Sequence, residues 1–529
     1  MITLLDYGAG NVRSVVNAIQ GQGETVKIVE SGEDILRAQK LVFPGVGSFG
    51  SMMQILQQKG LYFPLQEYLH SDRPFLGICL GLHALFDYSE ESPEQQGLGF
   101  IPGFVKRFDT NLSVPHIGWN GIKAKQSSKL FNRLSGEEKF YFVHSYHVVP
   151  ENSELILATT DYGEEFVSGI QVRNVAAIQF HPEKSGGPGL NILKNFLEDD
   201  LQASDLSYKM QKTKLAKRIV ACLDVRSNDQ GDLVVTKGDQ YDVRERGSVR
   251  NLGKPMELAK RYYQEEADEI TFLNITGFRD FPLEDLPMLQ VLQNTSRNVF
   301  VPLTIGGGIQ DYTDKNGRRY SALEVAAEYF RSGADKVSIG SEAVLIAEDY
   351  LKSGQKSGKS AIEQISRVYG NQAVVVSIDP RRVYVHNPQD VPHKCINTQL
   401  TGPNGEKYCW YQCTIKGGRE GRDLDALTLA RACEELGAGE ILLNCIDRDG
   451  TNSGFDLELI AAVSNFVNIP VIASSGAGCP EHFEQVFTQT TAEAALAAGI
   501  FHRREVPIAQ VKKHLSHKLE IRNPQDLPE

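Results

Sequence analysis

Eight short apolar runs recur between residues 213 and 510: RIVACLDV, EITFLNI, VFVPLTIGGGI, DKVSIGS, AVVVSIDP, EILLNCIDRDG, IPVIASSGAG and AALAAGIFH. Amphipathic stretches such as KPMELAKRYYQEEA, ALEVAAEYFRSGA and DALTLARACEELGA lie between several of them. Strands joined by helical crossovers are parallel, and eight of them in roughly 300 residues suit a closed (β/α)8 barrel, whereas an open sheet would need unprotected edges. The runs also divide into two similar sets of four. CLDV is echoed by SIDP, TFLNITGFRD by LLNCIDRDG, TIGGGI by ASSGAG and VSIGS by LAAGIF, each offset by roughly 155–170 residues, half a barrel of typical size. This reads as a duplicated half-barrel. Residues 311–321 and 387–418 fall outside the repeat and read as loops, the second long enough to suggest a role at the active face.

A barrel accounts for little more than half of the 529 residues, so a second core is required. Upstream, KLVFPGVG, PFLGICLG and VAAIQFHPE alternate with glycine turns and amphipathic stretches, the pattern of an open α/β sheet. The polar stretch LEDDLQASDLSYKMQKTK carries no strand signal. The expected division is residues 1–204 as the open-sheet domain, 205–213 as linker and 214–529 as barrel. The net charge of -12 is spread along the chain, which argues against nucleic-acid binding. With no apolar run long enough to span a bilayer and no basic n-region in MITLLDYGAGN, the cytosol is the expected compartment. Eight cysteines without a CxxC pair suggest neither a disulfide framework nor a zinc site.

One cysteine stands apart. FLGICLGLHALF sets Cys79 between a strand and a helix, flanked by Gly77 and Gly81, the spacing of a nucleophile elbow whose helix N-terminus favours a thiolate. IQFHPEKS places His181 and Glu183 at a strand end, where an imidazole can take the thiol proton and a carboxylate can hold its tautomer. FPGVGSFG, with Gly45, Val46 and Gly47, offers a glycine-rich oxyanion loop.

Together DYGAGN, PGVGSFG, GICLG, YFVHSYH and QFHPEKS resemble a class I glutamine amidotransferase of the histidine-pathway type, across nearly all of residues 1–197. The resemblance implies that L-glutamine is hydrolysed, that Cys79, His181 and Glu183 are the triad, and that Gly45–Gly47 lie beside the oxyanion site. His83 stands where that family usually has a glutamine that helps hold the substrate.

Asp224 ends the first barrel strand and Asp379 the fifth, equivalent positions across the repeat. Facing carboxylates at one mouth suit acid and base roles. Glycine-rich strand ends obey the same symmetry: Gly307 and Gly308 with Gly340 and Ser341 in one half, Gly476 with Ala498 and Gly499 in the other. Paired loops of this kind imply two phosphate sites on opposite sides of the mouth, and hence a substrate with a phosphate at each end. At the opposite ends of the strands, Arg218, Glu269, Lys336 and Glu440 each stand at the start of an apolar run, where two positive and two negative charges can neutralise one another as a ring.

AKRIVACLDV, VVTKGDQYDVR, ADEITFLNIT, GADKVSIGS, IDRDGTNSGFD and SSGAG resemble the cyclase of the imidazole glycerol phosphate synthase family. The resemblance implies attack of ammonia on a phosphoribulosyl formimino aminoimidazole carboxamide ribotide, with Asp224 and Asp379 as acid and base. It also implies that Lys237 lies on a loop closing over substrate, that Asp449, Gly450 and Thr451 border it, and that the charged ring gates ammonia at the face where the glutaminase docks. No metal or cofactor is called for. Family members more often read SGGAG where this chain has Ser474, Ser475 and Gly476. The isomerase of the preceding step shares the duplicated barrel but needs no ammonia. Pyridoxal phosphate synthase uses Schiff-base lysines, and a non-catalytic scaffold would have lost the nucleophile or an aspartate.

Overall fold

The computed structural model describes residues 1–8, 10–199, 213–228, 232–236, 244–245, 248–249, 251–275, 286–314 and 317–522. Lys237 and all but Thr213 of the expected linker lie outside the described residues. In the N-terminal part, five parallel strands run in the order Val26–Ile28, Ile2–Leu4, Leu41–Gly45, Phe75–Cys79 and Val175–Ile178. The sheet then continues antiparallel through Glu164–Val172, Tyr146–Pro150 and Gly103–Arg107. Strands such as Phe75–Cys79 are buried throughout, as expected for a parallel sheet covered on both faces.

From Arg218 on, eight parallel strands close a barrel: Arg218–Ser227, Glu269–Asn274, Leu303–Gly306, Lys336–Ile339, Val374–Ile378, Glu440–Asn444, Val471–Ser474 and Ala494–Ala497. The last returns to the first, pairing Ala494 with Arg218 and Ala497 with Ala221. Each coincides with one of the eight apolar runs. Helices Pro255–Gln264, Ala322–Arg331 and Ala426–Leu436 fall where amphipathic periodicity put them.

The two segments read as loops are structured. Tyr312–Thr313 and Arg319–Tyr320 pair as a short hairpin, with the rings of Tyr312 and Tyr320 stacked 5.0 Å apart. Residues 387–418 contribute to a four-stranded antiparallel sheet, in which Tyr408–Ile415 pairs with Pro380–Val385, Ile396–Asn397 and Glu420–Asp425. YCWYQCTI is rich in strand formers, and Cys409, Tyr411 and Cys413 are fully buried. This sheet follows the fifth strand and so rises from the C-terminal face of the barrel.

The N-terminal part sits on the opposite face. Asn11 Nδ2 donates to Gly333 O (2.9 Å) and Asp335 Oδ1 (2.7 Å), and Lys184 Nζ pairs with Asp335 Oδ2 at 2.7 Å. Trp119 Nε1 donates to Asp268 O at 3.1 Å, Gly186 N to Phe300 O at 3.0 Å and Val114 N to Asn468 O at 2.8 Å. Asp268 and Asp335 immediately precede barrel strands and Phe300 and Asn468 lie three residues before theirs, so the contact is made at the strands' N-terminal ends.

Candidate active site

Cys79 sits at φ 53°, ψ −107°, between the strand Phe75–Cys79 and the helix Leu80–His83. A non-glycine residue held there is strained, as at nucleophile elbows. Gly81 makes the turn possible, because a Cβ on it would lie 2.1 Å from Phe43 O. Parallel register sets Gly45 beside Cys79 and Ile178 beside Ile78, which brings both the glycine loop and the chain leading to His181 to the elbow.

His181 Nδ1 lies 2.8 Å from Glu183 Oε1. The carboxylate accepts the Nδ1 proton and leaves Nε2, which is buried and makes no hydrogen bond, for the sulfur. Burial alone would lower the imidazole's proton affinity, but Glu183 and the Cys79 sulfur outweigh it and raise it well above its ordinary value. This base is therefore poised to take and keep a proton.

At the glycine loop the N–H of Val46 donates to the Tyr7 hydroxyl at 3.1 Å, and that hydroxyl also bonds the Val46 carbonyl. From the barrel side, Ser48 N donates to Val368 O at 3.3 Å and Ser48 Oγ to Arg367 O at 2.9 Å. His83 is buried, with Nε2 2.8 Å from Gln179 Oε1, and Gln179 Nε2 lies 3.5 Å from Cys79 Sγ. Neither Gln179 nor Glu91 was singled out from the sequence. Glu91 accepts from Phe49 N at 2.7 Å, and burial, only partly offset by that bond, pushes its carboxyl up to about 7.

A single cavity is lined by Cys79, Glu91, His181, Tyr141, Asp335 and Lys336. It begins at the elbow and ends on the barrel's lower face. There the four strand-start charges form a closed ring: Arg218 Nη1 to Glu269 Oε2 at 2.9 Å, Lys336 Nζ to Glu269 Oε1 at 2.6 Å and to Glu440 Oε2 at 2.7 Å, and Arg218 Nη2 to Glu440 Oε1. All four side chains are at most 1% exposed. For Glu440, burial raises the carboxyl, but Arg218 and Lys336 outweigh it and hold it below the usual range.

At the other end of the barrel, Asp379 is partly exposed at the mouth but set deep enough that burial raises its carboxyl above the usual value. Asn444 Nδ2, 2.9 Å from Oδ1, opposes the shift, and nearby Asp449 adds to it. Asp224, on the first strand, accepts from Cys222 Sγ at 3.8 Å. Three barrel strands separate the first from the fifth in either direction around the barrel, so the two aspartates stand on opposite walls. Asn444 was not singled out either, although its counterpart Asn274 in the first half repeats the strand-end position. Gly307 and Gly476 have φ of 102° and 98°, and a Cβ on either would strike a carbonyl, Asn274 O at 2.2 Å or Gly454 O at 2.3 Å. Gly308 continues the first turn at φ 75°, and Gly450 lies at φ 72° in the loop with Asp449 and Thr451. Gly340 precedes the helix Ser341–Ser353, and Ser341 Oγ accepts from Lys416 N at 2.9 Å. Ala498 precedes the short helix Gly499–His502.

The family described as Histidine biosynthesis protein matches residues 218–507, and that described as Glutamine amidotransferase class-I matches residues 3–199. The chain is 61% identical over 530 residues to the imidazole glycerol phosphate synthase hisHF, chloroplastic, of Arabidopsis thaliana, covering 99% of this chain and 89% of that protein. It is 55% identical over 533 residues to imidazole glycerol phosphate synthase hisHF of Schizosaccharomyces pombe, covering 98% of each. Over 305 residues, 58% of the chain, it is 42% identical to the imidazole glycerol phosphate synthase subunit HisF of Methanosphaera stadtmanae.

Proposed function

We propose a residue-level division of labour from the premise that this chain belongs to the imidazole glycerol phosphate synthases, the enzymes of histidine biosynthesis that here join a class I glutamine amidotransferase to a cyclase. The enzyme hydrolyses glutamine to glutamate and ammonia. It uses that ammonia to convert phosphoribulosyl formimino aminoimidazole carboxamide ribotide to imidazole glycerol phosphate and aminoimidazole carboxamide ribotide.

In the glutaminase, His181 takes the Cys79 proton and the sulfur attacks the glutamine carboxamide carbon. The N–H of Leu80 at the helix start, with those of the Gly45–Gly47 loop, receives the negative charge on oxygen. Collapse breaks the C–N bond as His181 protonates the departing nitrogen, leaving a thioester and free ammonia. Water then attacks the thioester to give glutamate and restore the thiol. The Glu91 carboxylate, inside the same cavity, is placed to receive the ammonium group of the substrate. Ammonia leaves through the ring of Arg218, Glu269, Lys336 and Glu440 and travels up the barrel. At the mouth, Asp379 keeps a proton more readily than an ordinary carboxyl and serves as acid, with Asp224 opposite as base. The two glycine pairs hold the two phosphates.

The observation that carries this reading is the cavity that joins Cys79 to Lys336. Cys79→Ala is expected to abolish glutamine-dependent synthesis and to retain synthesis driven by ammonium salt at high pH. Loss of both activities together would refute the division. Among the described residues no helix is long and apolar enough to cross a membrane. We place the enzyme in the cytosol, a compartment that suits its free thiols, and fractionation of the source cells tests this.

A further inference from the structure

Two buried residues outside the triad connect to the nucleophile. Gln179 directly follows the strand Val175–Ile178 that leads to His181, is wholly buried, and is fixed by its backbone N–H to Ser168 O at 3.0 Å. Its side-chain amide bridges His83 on one side and Cys79 on the other, with Oε1 2.8 Å from His83 Nε2 and Nε2 3.5 Å from Cys79 Sγ. An amide has one accepting oxygen and one donating nitrogen, so the two contacts are linked. If Oε1 accepts from His83, the ring must carry its proton on Nε2, and the amide nitrogen must then face the sulfur. Turned over, the amide would aim a lone pair at a developing thiolate.

We propose that His83 is a positioning residue whose Nε2–H locks the Gln179 amide so that its Nε2–H donates to Cys79 and stabilises the thiolate that attacks glutamine. The ring has the single proton this requires, because burial, with Gln179 opposing and His147 assisting, lowers His83 to about 4 and keeps it neutral. The sulfur is also faced by His181 from the strand end, with Glu183 behind it, and by Tyr7 from beneath the glycine loop. His181 is placed to take the thiol proton, whereas Gln179 is placed to donate to the thiolate that remains. The departure at position 83 thus acquires a role other than holding substrate, the role its place in the motif suggested. The inference rests on Cys79 being the nucleophile, and the Cys79→Ala variant tests that separately.

The two roles for His83 separate kinetically, because a substrate contact acts on KM and a contact to the reacting sulfur acts on kcat. Glutamine hydrolysis is measured in the full chain with barrel substrate present, for Gln179→Met, His83→Phe, the double variant and His83→Gln. Ammonium-driven synthesis serves as the folding control. The first two variants should lower kcat about tenfold, the size of one hydrogen bond to a charged group, with KM changed less than twofold. The double variant should be no worse than Gln179→Met, since both remove one bond. His83→Gln, which brings an N–H back to Gln179 Oε1, should recover most of kcat. A rise in KM at unchanged kcat would make His83 a substrate contact. Additive losses in the double variant, or no recovery with His83→Gln, would equally overturn the relay. Should Gln179→Met fail to fold, the contrast between His83→Phe and His83→Gln decides alone.

Discussion

Ser475 holds φ 72° directly after the seventh barrel strand, in a run where the family more often has a second glycine. An L-residue in that region carries a strain of about 1 kcal/mol relative to glycine. Ser475→Gly is therefore expected to raise the thermal midpoint of the barrel by the equivalent of about 1 kcal/mol, less what the freer unfolded chain gives back. An unchanged or lower midpoint in calorimetry would show that the serine side chain compensates the strain. Residues of this kind were uneven in their legibility. The elbow at Cys79 and the pairing of His181 with Glu183 were readable because an elbow needs glycines at fixed spacing and an imidazole with a carboxylate two residues on is visible in the sequence. Glu91 was not, because EESPEQ looks like a solvated charge run. Burial and the bond from Phe49 N became visible only when the chain folded back over the elbow. Gln179 was hidden for a related reason: a polar residue two positions before His181 has no pattern of its own, and its bond to Cys79 spans 100 positions in sequence.

At the scale of elements, the glycine loop is held from two sides. Tyr7 engages both the N–H and the carbonyl of Val46, and Ser48 is bonded to the end of the helix Ala361–Tyr369 in the barrel. An N–H occupied by a hydroxyl cannot also bind an oxyanion, so under the proposed mechanism the loop releases Tyr7 before Val46 N–H can serve. Burial holds the Tyr7 hydroxyl in its protonated form, well above the usual range, so pH does not open the clamp under ordinary conditions. Tyr7→Phe should raise glutamine hydrolysis several-fold without barrel substrate and less with it, by about one neutral hydrogen bond. Equal basal rates in the two proteins would show that another contact holds the loop. The barrel strands were legible element by element because each is a buried apolar run with glycine or a polar residue at or just past its C-terminal end. The sheet built on Tyr408–Ile415 was not, because nearby cysteines and glycines drew it toward a loop although its residues favour strand.

For the molecule as a whole, the lower end of the barrel is closed by a ring of buried ion pairs, which the proposed ammonia route must pass. Parallel strands put Arg218, Glu269, Lys336 and Glu440 at one end and Asp224 and Asp379 at the other, and the family resemblance implied that the glutaminase docks at the charged end. The docking contacts themselves, such as Lys184 with Asp335 and Trp119 with Asp268, depend on the meeting of two surfaces and leave no periodic trace in sequence. Lys336 is the ring member that also lines the glutaminase cavity, so on the proposed route it is the residue ammonia meets first. Lys336→Met keeps the stem length but removes the charge, leaving Glu269 and Glu440 to share Arg218. Removing one partner of a buried pair costs about 3–5 kcal/mol. Glu440, held below its usual value in the intact ring, contributes stability that is present above the ordinary glutamate range and lost as pH falls through its folded value. Without Lys336 that value rises, so acid unfolding should begin at higher pH. The ring should also no longer close evenly over the opening. Glutamine hydrolysis is then expected to continue while product formed per ammonia released falls, the balance appearing in an ammonia trap in the surrounding buffer. If the ratio of product to glutamate in Lys336→Met equals that of the parent enzyme, ammonia takes another route and the ring is only a structural plug.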